Sequence, residues 1–377
     1  MTAEVLIKSR ITMNPVPFIL LAISLPLLVG GCREKVAIDV KNVEEKVLEV
    51  KEEVKPEESI VETNSELGGV NTEELEERES IKYLKDSETP YTGKVYGLYE
   101  NGQKLFEVNY KDGKREGLIT AWHDNGLKKT EGNYKDGKFE GLYVWWHDDG
   151  QKSGEGNFKN GKKDGVFTDW HDNGQKQLEV KYKHGKKEGL QLTWYKNGQK
   201  KAENNWKDGK EEGLHAAWYE NGQKMVEINY KDGKGEGLAV RWHENGQKQR
   251  EVNWKDSKRD GLLVEWHENG QKLAEVNYKD DKREGLAMIW HENGLKKAEG
   301  NYKNGKFEGL HVAWYKNGQK KGENNWKEGK QEGLAVGWHE NGLKAGESDW
   351  RDGKKVSAKY WNSKGEPVDS REEAEAE

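Results

Sequence analysis

The 377-residue chain is 32% hydrophobic and 35% charged, with 45 glycines, six prolines and one cysteine. That balance sits close to disordered composition, yet 16 Trp, 15 Tyr and 6 Phe are too many aromatics for an unstructured chain. It excludes a large enzyme with a thick aliphatic core, a disulfide framework and a multi-cysteine metal site, and a net charge of −6 gives no case for nucleic acid.

Lys8 and Arg10 precede an apolar run from Val16 to Val29, interrupted by Pro17 and Pro26 and ended by Gly30-Gly31-Cys32. Roughly 14 positions with two prolines are too few for a stable span and suit a signal h-region. Leu28-Val29-Gly30-Gly31-Cys32 resembles a bacterial lipobox, and the chain's one cysteine stands where that motif needs it. The resemblance implies a signal peptide over 1–31 and an acylated Cys32 as mature N-terminus. Two or three acyl chains there would anchor the protein durably in a membrane. Arg33, rather than Asp, after the cysteine implies the outer membrane in a two-membrane bacterium. An ordinary signal peptide or anchor that happens to end at a cysteine is the other reading.

Residues 32–80 read as an acidic stalk. From 33 to 80 there are 16 acidic and 7 basic side chains and no aromatic residue. Val36, Val40, Val43, Val47, Val50 and Val54 recur at spacings of four and three, a heptad seam ending before Pro56. Under three heptads of valine is marginal alone. A solvated tether, a membrane-lying helix and a short coiled coil giving an oligomer all remain open. Residues 57–80 read as disordered linker.

From about residue 90 the chain repeats every 24 residues. Trp122, Trp146, Trp170, Trp194, Trp218, Trp242, Trp266, Trp290, Trp314 and Trp338 form an unbroken series. A second aromatic column starts at Tyr110, Tyr134 and Phe158 and ends at Trp350, and glutamate recurs from Glu107 to Glu347. Strict periodicity means stacked units. In one unit, Leu118 to His123 alternates with period two, Asp124-Asn125-Gly126 signals a turn, Lys128 to Tyr134 makes a second strand, and Lys135-Asp136-Gly137 turns again. With both aromatic columns assigned to one face, parity requires an odd loop. The prediction is a three-residue turn with Gly126, and likewise Gly174, Gly198 and Gly222, in the left-handed region. Leu, Val and the aromatics would then share one face, with Glu, Asn and His or Tyr on the other. Ser257 and Asp281 replace the second-turn glycine in two units, where a local loosening is expected.

The fold class that follows is all-β: an elongated single-sheet antiparallel meander of about eleven hairpin repeats over 81–365, preceded by a helical or disordered stalk. Residues 81–92 with Tyr83 and Tyr91, and 356–365 with Tyr360 and Trp361, are the expected caps. Residues 366–377 form a frayed acidic tail. Net charges of +1 up to Cys32, −9 over 33–80 and −5 in the last dozen leave +7 on the repeats.

Unit after unit of Gly-Leu-x-x-x-Trp-His-x-Asn-Gly-Gln-Lys-x-x-Glu-x-Asn-Tyr-Lys-Asp-Gly-Lys resembles the bacterial variant of the MORN repeat over residues 90–355. The resemblance implies membrane association or scaffolding, and proteins with this variant are commonly labelled antitoxins of toxin–antitoxin systems.

Candidate chemistry is sparse. His123, His147, His171, His243, His267, His291 and His339 follow the tryptophans, with Tyr195, Tyr219 and Tyr315 in the other three units. Equivalent residues two strands apart are roughly 9.6 Å from each other, too far to share a zinc ion. The glutamates are read as pairing with nearby lysines. No catalytic, cofactor or metal site is assigned. The reading is a non-catalytic, membrane-anchored envelope lipoprotein whose sheet is a protein-interaction scaffold. The alternatives are an envelope polysaccharide or peptidoglycan binder, with aromatic rings stacking on sugars, and an antitoxin-like protein.

Overall fold

The computed structural model describes residues 68–375. The signal peptide, Cys32 and the Val36–Val54 heptad lie outside the described residues. Among the described residues the repeats and their caps form one open, mostly antiparallel sheet of 27 strand segments in which neighbouring hairpin strands pair in chain order. The short segments Lys138–Phe139 and Lys330–Gln331 pair only backwards, and Gly141–Trp146 and Gly333–Trp338 continue the same pairing with Lys128–Lys135 and Lys320–Lys327. One unit supplies strands such as Lys114–Trp122 and Lys128–Lys135. Alternating half-apolar segments with glycine turns dictate this outcome, and no unit has a buried layer of its own.

The two connections differ in kind. In the first, His123 N donates to Leu127 O (2.8 Å) and Gly126 N to His123 O (3.0 Å), closing the three-residue loop Asp124-Asn125-Gly126 with Gly126 at φ +82°. Gly174, Gly198 and Gly222 adopt the same left-handed conformation. The second connection is a two-residue turn: Lys135 pairs with Lys138 around Asp136 (φ 50°) and Gly137 (φ 75°), both left-handed, as a type I′ turn requires.

The expected shared face is overturned. Beyond the loop, Trp122 pairs with Lys128 but Ala121 pairs with Thr130, so Lys129 is an extra residue. This bulge reverses the parity that the loop alone sets. Leu118, Thr120, Trp122, Glu131 and Asn133 share one face. Ile119, Ala121, Thr130, Gly132 and Tyr134 share the other. The two aromatic columns therefore lie on opposite sides of the sheet. A second irregularity, at Gly117 (φ +75°), inserts two residues between the pairs Val108–Ile119 and Tyr110–Arg115 and leaves parity unchanged.

The tyrosine face holds the tightest packing. Tyr143 and Phe167, 4 and 3% exposed, lie over Gly132 and Gly156, where a Cβ would come within 2.2 Å of the neighbouring ring. Large and small residues alternate between neighbouring strands, as interdigitation demands.

Ser257 and Asp281 do not loosen their turns. Both keep positive φ (63° and 66°), and their side chains add hydrogen bonds. Ser257 Oγ accepts from Gly235 N (3.0 Å), and Asp281 Oδ1 accepts from Arg259 N (3.1 Å) and Nε (2.8 Å).

The ends are capped more extensively than expected. Residues 68–80, read as linker, are structured. Val70–Asn71 pairs in parallel with Gly93–Leu98, and Thr72–Glu74 is a 3-10 turn with an Asn71/Glu74 capping box. Leu75–Arg78 forms a hairpin with Ile81–Leu84, burying Leu75. These elements cover an edge that would otherwise be open to pairing. At the other end, Pro367–Val368 pairs with the strand Lys354–Trp361, and the helix Arg371–Glu375 buries Ala374, so the tail read as frayed is docked through Glu375.

Candidate functional site

The tryptophan face is built from three rows crossing the strands. In the first, exposed leucine alternates with Asn133 and its equivalents. Leu118, Leu142, Val166 and their counterparts at 24-residue steps to Leu334 are 36–51% exposed, all but the half-buried Leu214. In the second, small or β-branched residues such as Thr120 and Ala216 form a buried floor between glutamates. In the third, tryptophan alternates with lysine. Lys104 Nζ lies over Trp122, Lys128 over Trp146, and so on to Lys344 over Trp361, 5.1–5.9 Å from the ring centroids. Each of these lysines also pairs with the glutamate three residues on, as in Lys152–Glu155 and Lys272–Glu275, both 2.9 Å. An i,i+3 pair is out of reach in a regular strand, and the bulge residue between them puts both on one face. Their charges cancel locally, leaving a neutral surface of leucine, asparagine and lysine-covered tryptophan.

The histidines lie at the hairpin edge beside this face. His171 Nε2 meets Trp194 O at 3.0 Å, and His339 Nε2 meets Trp361 O at 2.8 Å. Tyr195 and Tyr315 donate from their hydroxyls to Trp218 O (2.7 Å) and Trp338 O (2.8 Å). A carbonyl only accepts, so Nε2 carries the proton. That explains why His and Tyr interchange: both supply one donor that tethers a loop to the next unit. Asn125 and its counterparts add a second tether, Asn245 Nδ2 donating to Glu268 O at 2.9 Å. Among the described residues no group of three His, Cys, Asp or Glu is arranged to hold a metal ion.

The tyrosine face is polar in its middle repeats. Burial pushes the Lys163 and Lys187 ammonium groups and the His215 imidazole down, and the Asp169 and Glu211 carboxyls up. It also drives the Tyr230 hydroxyl up to about 12. Asn204 contacts both Glu211 and His215. Next to this group Arg250 and Glu265 form a buried pair with Arg241 alongside. Reasoning from the common unit passed over these residues and the exposed leucine row. The signal was there, since charge at the Ala121 and Thr130 positions occurs only at Asp169, Arg241, Glu265 and Arg250.

Of the residues singled out in the sequence, the ten tryptophans lie on one face and the four glycines at one edge. Cys32 lies outside the described residues. No helix among the described residues is long and apolar enough to cross a membrane.

This geometry defines a single-sheet β-repeat protein. The chain is a MORN-repeat protein: residues 91–112, 139–160, 163–184, 187–208, 211–232, 235–256, 259–280 and 283–304 match the MORN repeat variant family. No curated protein matches it. Among solved structures it is similar to the crystal structure of TcdB2-TccC3, 11% identical over 78% of this chain and 19% of that chain, with a TM-score of 0.17. The Photorhabdus luminescens Tc holotoxin pore is 12% identical over 76% of this chain and 18% of that chain, also at 0.17. The chain spans about a fifth of those chains, and TM-scores this low establish no common fold.

Proposed function

We propose that this MORN-repeat protein is a non-catalytic lipoprotein of the bacterial envelope, anchored through Cys32, whose tryptophan face is a scaffold surface for a protein partner. The observation that carries the reading is the leucine row, repeated along the sheet at 36–51% exposure beside a floor that is already buried. Contiguous surfaces that mix exposed apolar groups with satisfied polar ones mark interaction sites. A polysaccharide stacked on the tryptophans fits less well, because each ring already carries a lysine ammonium. The lipobox-like segment, with Arg33 after the cysteine, favours the outer membrane as the address.

Intact mass and membrane fractionation of natively expressed protein, beside a Cys32→Ala variant, test the anchor. Loss of residues 1–31 with added acyl mass, and release of the variant, are expected. A soluble, unmodified full-length chain would overturn the address and bring the cytosolic antitoxin reading forward. Recovery of partners from envelope fractions before and after glycan-degrading enzymes separates protein from polysaccharide. Retention after digestion is expected.

A further inference from the structure

Beyond the leucine row, at the edge made by the two-residue turns, the tryptophan face carries a pair of exposed cross-strand lysines in almost every unit, such as Lys207 and Lys210. In that unit Asp208 in the turn and Glu212 beyond it supply two carboxylates, and the charges balance. Farther along, Lys210, Lys234 and Lys330 reach the turn aspartates of the following units, Asp232, Asp256 and Asp352, at 3.8, 2.9 and 3.6 Å.

Two adjacent units depart from this balance. Asn160 and His184 stand in turns where the flanking units have Asp136 and Asp208, and Lys181 replaces the asparagine of the leucine row. The edge there sets Lys159, Lys162, Lys181, Lys183 and Lys186 against the carboxylates of Asp164 and Glu188 alone. Both carboxylates are already engaged with turn backbone: Asp164 Oδ1 accepts from His184 N (3.2 Å), and Glu188 Oε2 accepts from Asp208 N (3.0 Å). All five lysines are exposed, and none has a carboxylate partner among the described residues. Lys159 lies directly across from Lys162, and Lys183 from Lys186, so like charges repel over four strands spanning about 14 Å. Lys181 pairs with Val166, and Val166 and Leu190 on either side of it are 51 and 48% exposed. Asn304 repeats the loss of a turn carboxylate in a later unit, but there the row keeps Asn301.

We propose that this patch docks an acidic segment of a protein partner, one that places carboxylates beside apolar side chains. The partner's carboxylates meet the unpaired lysines. Its apolar side chains meet Val166 and Leu190, in a row about 6.8 Å from the turn lysines, two residues along the strand. Opposite charges around an apolar contact fix register and orientation. That matters on a surface whose other units repeat, because a partner on identical units has no preferred position. The proposal rests on the reading of this face as a scaffold and adds where along it the partner is fixed. The patch covers two units only. A membrane plane or a long anionic polymer would run on over balanced units at both sides, where Lys135 and Lys138 meet Asp136 and Glu140, and Lys207 and Lys210 meet Asp208 and Glu212.

The test titrates the full chain by calorimetry at low salt with acetyl-Glu-Leu-Glu-Glu-Leu-Glu-amide and with the analogue in which every Glu is Gln. The acidic peptide is expected to bind at least about tenfold more tightly than the analogue, and to weaken as salt is raised. Lys181→Gln/Lys183→Gln/Lys186→Gln should abolish that preference. Lys231→Gln/Lys234→Gln/Lys255→Gln, which removes the same charge from balanced units, should leave it within about twofold. The first variant is also expected to melt no lower than the unsubstituted chain, because it relieves repulsion between exposed groups. Equal binding of the two peptides, no saturable binding, or equal loss in both variants would overturn the proposal. So would phosphatidylglycerol vesicles that bind the chain and displace the peptide, which would turn the patch toward a lipid surface. The scaffold reading itself is tested at Leu238 and Leu286, outside the patch, so either can fail alone.

Discussion

The two faces of the sheet follow different rules. On the tryptophan face and its hairpin edge one pattern recurs: Lys128 over Trp146 and against Glu131, a His or Tyr tether, and a left-handed glycine. On the tyrosine face the position of Ile119 becomes Tyr143, Phe167, Gln191, His215, Ala239, Leu263, Ala287 and His311 in successive units. Repetition suits a surface whose binding scales with length, since each added unit offers the same contacts again. Variation suits a packed layer in which each residue answers only its two neighbours, and there a charge cluster can arise once without disturbing the stack.

The largest test of that contrast is Phe167→Ala. It removes a 3%-exposed ring seated over a glycine that cannot fill the space, and is expected to cost about 3–5 kcal/mol in urea unfolding. Hydrogen exchange should localise the loss to the strands Lys152–Lys159 to Lys176–Lys183. A cost below 1 kcal/mol would mean that the tyrosine face is not the packed one.

At the hairpin edge the effect is smaller and specific. His171→Tyr should be neutral, because a hydroxyl replaces one donor with another, whereas His171→Phe should cost about 1 kcal/mol. Equal effects of the two would show that the Trp194 carbonyl contributes nothing.

Acid tests the tyrosine face again. Burial depresses His215 and His311, so the unfolded chain binds protons before the folded one does. Their contribution is complete above about pH 6.5 and is lost as pH falls from there through the depressed folded values. A His215→Gln/His311→Gln variant should show a shallower fall of stability below pH 6.5, read from urea midpoints. An unchanged slope would assign the acid sensitivity elsewhere. Smallest of all is Lys196→Ala, which removes one exposed pair with Asp172 and should shift the midpoint least, and less still at high salt.

Much of this was legible in the sequence. Period, strands, the Gly126 loop and the pairing of Glu131 with a lysine follow from spacing and turn chemistry. The face assignment did not, because parity counted through the loop is blind to Lys129, whose bulge no residue type announces. The N-terminal cap was hidden by its charge: Glu73, Glu74, Glu76 and Glu77 look like linker, while Leu75 and the Asn71 cap carry the structure. The charge cluster of Arg241, Arg250 and Glu265 was missed because a repeat invites reading by its common unit, and these residues are departures from it.

The central claim is that the leucine row on the tryptophan face is the interaction surface. In-cell photo-crosslinking from single positions Leu190, Leu238 and Leu286, each exposed and two or four repeats apart, tests it directly. One adduct of the same partner from all three positions is predicted. No adduct from any of them, or unrelated adducts at each, would contradict it.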